Sequence, residues 1–113
     1  NFIHLSPFEQ TRFRSDVTLA LGFTHHMRLV EMLSWEKISR VLAGVTERTL
    51  VTEFKEGTMA RASHEDVPVD LAKDYRQEKF TDALSKFFSS IEVVGEFSHN
   101  VGCPGRTLIV CRK

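Results

Sequence analysis

The feature that most limits what this chain can fold into is an apolar run that stops at a glycine and a pair of imidazoles, SDVTLALGFTHH from Ser15 to His26. Val17, Leu19, Ala20 and Leu21 make the run almost continuously apolar, which is the pattern of a strand covered on both faces. Strands of that kind belong to sheets with helices on each side, and such sheets bind ligands at the carboxyl ends of their strands. Gly22 ends the run and lets backbone come close to a ligand, and His25 and His26 follow where the chain leaves the sheet. Chemistry is expected at that end.

Downstream, Ser34 is placed to cap a helix beginning at Trp35. Ile38, Val41 and Leu42 recur on it at spacings of three and four, and Gly44 is placed to end it. Thr49 to Phe54, TLVTEF, is β-branched and bounded by charge, so it reads as a second strand. The crossover is long enough to make the two strands parallel. Lys55 to Lys73 is polar and aperiodic, a loop of the kind that covers a site or moves, with room for a short helix at Ala60 to Glu65. After Asp74, the residues Phe80, Ala83, Leu84, Phe87 and Phe88 mark the buried face of a second helix. Ile91 to Phe97 and Thr107 to Cys111 read as closing strands with no room for a helix between them, hence an antiparallel hairpin. Upstream, Phe2 to Leu5 alternates like the tail of a strand, and the polar stretch from Pro7 to Asp16 reads as a loop.

Composition narrows the function. The 113 residues read as one domain, 1–113, and fifteen basic residues balance fifteen acidic ones, so no net field draws the chain to nucleic acid or anionic lipid. No apolar stretch is as long as a membrane span, and NFIHLSPFEQ lacks the charged-then-apolar layout of a signal peptide, so a cytoplasmic location is expected. Cys103 and Cys111 have no CxxC spacing and read as reduced thiols; the adjacent His pair has no third ligand at helical spacing, which argues against zinc.

The succession S-D-V-T-L-A-L-G-F-T-H-H, helix, T-L-V-T-E-F, D-Y with a Phe80-bearing helix, and a hairpin ending G-R-T-L-I-V-C resembles the carboxyl half of a class I S-adenosylmethionine-dependent methyltransferase of the His-His branch. In that family the fourth strand opens with an Asp and closes in a loop that often carries paired His, as Asp16, His25 and His26 do here. The resemblance implies an α/β fold: half of a Rossmann-like three-layer methyltransferase domain, with parallel strands closed by an antiparallel hairpin. It also implies S-adenosylmethionine as the cofactor of the complete enzyme and methyl transfer to a nucleophilic atom of an acceptor, such as a small molecule. The family's Gly-rich loop and the acidic residue for the ribose have no counterpart here, and no G-x-G run occurs in the chain. The expectation is therefore a fragment or a split enzyme, whose partner is the missing amino-terminal half or a second copy of the chain. The apolar strand from Val17 to Leu21 would otherwise keep an unpaired edge.

Within that resemblance, His26 is the candidate to orient the acceptor or take its proton, with His25 on the opposite side of the strand end. Leu21, Gly22 and Phe23 line the cofactor side. Glu53 falls on the same rim, where it would bind a cationic part of the acceptor, orient a His, or simply pair with Arg48 or Lys55 on the surface. The alternative is a non-catalytic protein-interaction module that keeps the half-fold. A small hydrolase ranks lower, because no Ser or Cys elbow is present.

Overall fold

The computed structural model describes residues 6–56, 67–97 and 106–113, the side chains of residues 96 and 97 excepted. Its elements are α1 (Pro7–Arg12), β1 (Ser15–Ala20), α2 (Thr24–Leu29), α3 (Trp35–Gly44), β2 (Thr46–Lys55), α4 (Val69–Asp74), α5 (Gln77–Leu84), β3 (Ser90–Phe97) and β4 (Arg106–Arg112). The strands form one mixed sheet in the order β1-β2-β4-β3. β1 and β2 are parallel, as the long crossover requires, and β4 runs antiparallel to both β2 and β3. The domain is thus a mixed α/β fold with one parallel pair and a closing hairpin. The final strand returns between β2 and β3, so the hairpin extends the sheet from β2 and β3 is its other edge.

Local sequence explains the helices. The Ser34 hydroxyl accepts the Lys37 N–H at 3.0 Å, which starts α3 where the capping residue and apolar stripe predict it. α5 ends at Leu84, earlier than the Phe periodicity suggests. The Phe88 N–H still donates to the Leu84 carbonyl at 3.0 Å, and that turn keeps Phe88 in the core. Pro7 to Asp16, read from the sequence as a loop, instead begins with α1. Ser6 and Glu9 form a capping box, with the Ser6 N–H donating to the Glu9 carboxylate at 2.8 Å and the Glu9 N–H to the Ser6 hydroxyl at 3.2 Å. These bonds hold the Glu9 carboxyl below its ordinary pKa. In the polar stretch before Asp74, the helix described is α4; the expected helix at Ala60 to Glu65 lies outside the described residues, as do the Phe2–Leu5 strand tail and Cys103.

The core sits on one face of the sheet. Ala20, Leu50, Phe54, Ile109 and Cys111 meet Ile38, Leu42, Phe80 and Leu84 from α3 and α5. Ile38, Leu42, Phe80 and Leu84 are wholly buried, and each contributes about 1.5–3 kcal/mol by removal from water. Thr52, buried in the same face, donates its hydroxyl to the Ala20 carbonyl at 2.9 Å, and the Thr46 hydroxyl donates to the Leu42 carbonyl at 2.6 Å. These bonds let two polar side chains sit in an apolar layer.

The opposite face differs from the expectation. The apolar run predicts cover on both sides of β1, yet among the described residues Val17 and Leu19 stand 55 % and 67 % exposed, while Thr18 and Ala20 turn toward the helices. β1 also pairs only with β2 among the described strands, so it is an edge.

Cys111 is a free, fully buried thiol, and burial pushes its pKa from 9.0 to about 12. The folded pKa lies above the unfolded one, so the associated stability is whole below pH 9 and is lost as the pH rises toward 12. Unfolding midpoints should fall across that window, and less steeply in Cys111→Ala. A pH-independent midpoint there would show that the thiol is not desolvated.

Candidate functional site

At the carboxyl ends of the parallel pair, β1 gives way to Leu21, Gly22 and Phe23, and β2 carries Glu53 two residues before its end. Leu21 is exposed and Phe23 packs partly against the core. Gly22 has φ +71°, a conformation that side-chain-bearing residues rarely adopt, and this turn lets the chain leave the strand sharply. Glu53 holds the turn in place. Its Oε1 accepts the Gly22 N–H at 2.7 Å, and its backbone carbonyl accepts the Thr24 hydroxyl at 2.9 Å.

Glu53 is therefore not the surface partner of Arg48 or Lys55. It is 3 % exposed, and the cation facing its carboxylate is Arg106 at the start of β4, 3.6 Å away. Arg48 instead faces Asp16 at 4.0 Å across the outer surface. The alternation of β2 explains the difference: Thr52 and Phe54 point into the helix-covered layer, and Glu53 points to the other face, where Leu108 of β4 lies opposite it in register.

His25 and His26 lie within α2 rather than on a strand end. Successive helical residues project about 100° apart, so the two rings diverge without taking opposite sides of a sheet. His25 is half-buried and His26 exposed, so of the two it is His26 that offers a ring to solvent at the rim. The structure thus brings Gly22 and Glu53 into direct contact and puts both imidazoles on the short helix that follows them.

One residue of α2 escaped the sequence reading. Arg28 is buried, its Nη2 lies 2.6 Å from the Asp74 carboxylate, and its guanidinium sits 5.8 Å from the centre of the Trp35 ring. Trp35 in turn donates its indole N–H to the Asp74 carbonyl at 3.1 Å. Next to it, the Tyr75 hydroxyl donates to the Lys55 carbonyl at 2.8 Å while its ring stacks on Phe54 at 4.8 Å. Burial first, then the charges of Glu56 and Glu53, raise the Tyr75 pKa, so the phenol stays neutral and donating. This cluster joins α2, the end of β2 and the α4–α5 junction into one packed floor. An Arg followed far downstream by D-Y carries no spacing signal that would have revealed it.

A cavity of about 230 Å³ opens beside the turn, lined by Thr18, Leu19, Ala20, Leu21, Phe23 and Leu42. Sites that enclose a whole cofactor-sized ligand run to about 300–1,000 Å³, so this one is large enough for part of such a ligand. Its walls are mainly apolar, with Thr18 as the polar residue among them. The Gly22 N–H is already committed to Glu53, and no lining side chain could take ribose hydroxyls as a carboxylate would. The lining residues therefore supply no carboxylate for the ribose of S-adenosylmethionine, and the nearby Gly22 N–H is not available to it.

Among the described residues no three His, Cys, Asp or Glu side chains converge as a metal site, and no helix is long and apolar enough to cross a membrane. Set against known proteins, the chain matches no protein-family model and no curated protein.

Proposed function

We propose that this chain forms one wall of a class I S-adenosylmethionine-dependent methyltransferase site, with the Gly-rich loop supplied from outside these 113 residues. The observation that carries the reading is the partial cavity against the open edge of β1, next to a strand-ending glycine turn at the carboxyl end of a parallel pair. The succession strand, helix, parallel strand, helix and antiparallel hairpin supports it, since this is the order the resemblance implies. When bound, S-adenosylmethionine supplies the electrophilic methyl group. Leu21, Gly22 and Phe23 position the cofactor's base, and the Arg28–Trp35–Asp74 floor keeps α2 still. His26 holds the acceptor in line and takes its proton, a contribution of about 10²–10⁴ in rate. Glu53 acts through Gly22, keeping the turn open, rather than as a base.

A non-catalytic interaction module is the second reading, favoured by the exposed apolar residues of β1. Calorimetric titration of the 113-residue chain with S-adenosylhomocysteine tests the half-site. Binding weaker than micromolar is expected, and micromolar binding to a monomer would mean that a complete cofactor site is already present. In the enzyme assembled with the loop-bearing segment, His26→Ala should lower turnover far more than cofactor affinity. Equal, small effects of His26→Ala and His25→Ala on turnover would leave both imidazoles as packing residues.

A further inference from the structure

At the end of the sheet opposite the Gly22 turn, where Arg112 of β4 pairs with Thr49 and Ser90, a groove of about 490 Å³ runs between α1, α3 and Lys113. Its size is that of a small-molecule site. Arg14, Lys37, Arg40 and Lys113 line it, and among its lining residues there is no acidic side chain. In a chain whose fifteen cations are matched by fifteen anions, such a concentration of one sign is local.

The surrounding carboxylates leave much of that charge unmet. Glu36 takes Arg40 at 3.0 Å and also faces Lys86 at 3.8 Å, and Glu47 attracts Lys113 from the β2 side. Lys113 is fixed rather than free to swing out: its ammonium donates to the Ala43 carbonyl at 2.7 Å and lies 5.9 Å from the centre of the Phe88 ring. Burial, and after it the charge of Arg14, lowers its pKa, so these two cations are held where each feels the other. Below them, Val41 and half-buried Phe87 give the groove an apolar floor.

We propose that this groove binds a phosphate monoester, its dianionic head taken by Arg14 and Lys113 with Lys37 beside them, and its apolar body lying on Val41 and Phe87. A dianion offsets the repulsion between the cations, whereas a neutral ligand or a monocarboxylate leaves part of it standing. The proposal is independent of the methyltransferase reading, because the groove and the Gly22 turn are at opposite ends of the sheet.

Nuclear magnetic resonance titration of the 113-residue chain with phenyl phosphate at low salt tests it, with phenol and inorganic phosphate as comparisons. Saturable shifts are expected at the amides of Arg14, Lys37, Gly44 and Lys113, weaker ones with inorganic phosphate, and none with phenol. Arg14→Ala should weaken phenyl phosphate binding about tenfold, the loss of one charge-assisted contact. Lys37→Ala, at a half-buried position of α3, serves if Arg14→Ala does not fold. Shifts that never saturate, shifts spread evenly over basic residues away from the groove, or an affinity that neither substitution changes would each overturn the assignment.

Discussion

Replacing Trp35 by alanine is expected to destabilise the domain by about 3–5 kcal/mol, the range for emptying a large aromatic site in a packed core. Trp35 is 5 % exposed, and its ring lies 4.7 Å from Phe80, 5.5 Å from Tyr75 and 6.2 Å from Phe54. Removing it opens a cavity that three rigid rings cannot close. It also deprives the Asp74 carbonyl of a donor and the buried Arg28 guanidinium of its aromatic face. Trp35→Phe keeps most of the packing and loses the indole N–H, so a cost of about 1 kcal/mol is expected. Urea unfolding checks both. Similar midpoints for the two variants would show that the ring's volume does not support the floor beneath α2.

The second large effect is expected at Glu53. Glu53→Ala removes a carboxylate that accepts the Gly22 N–H and leaves Arg106 facing an empty site, at a cost of about 2 kcal/mol. Glu53→Gln keeps an oxygen for the Gly22 N–H and loses only the charge pairing, so about half that cost is expected. Amide exchange separates positioning from general stability. In Glu53→Ala the Gly22 amide should lose protection by more than the global destabilisation accounts for, whereas in Glu53→Gln it should follow global stability. Parallel loss of protection throughout both variants would mean that Glu53 supports the core without fixing the turn.

Features built from local signals were legible in the sequence. Ser34, the stripe through Ile38, Val41 and Leu42, and Gly44 mark α3 with correct bounds, because caps and periodicity are properties of neighbouring residues. The parallel pairing of β1 with β2 followed from crossover length alone. The insertion of β4 between β2 and β3 was not legible, since the choice of strand partner is made by sheet packing over long sequence separations. The same holds for Glu53, whose cationic partner Arg106 arrives only when β4 docks. α1 is a different case: Ser6, Pro7 and Glu9 spell a capping box with proline in the first turn, a signal that was present and was outweighed by the polarity of the stretch. α2 starts at Thr24 behind an N-cap, Phe23, that makes no side-chain cap bond, and nothing local separates it from a strand-end loop. The sequence therefore reveals the His pair by type but not the helix that carries it. The apolar run of β1 was likewise legible as a strand, and its second face finds no cover among the described residues.

If the turn after β1 holds the base of S-adenosylmethionine as proposed, a backbone amide titration with S-adenosylhomocysteine at millimolar concentration should reveal it. Weak but saturable shifts are expected at Leu19, Leu21, Gly22, Phe23 and Thr24, and at Leu42 across the same cavity. The absence of any shift at these residues, or shifts centred on another surface, would contradict it.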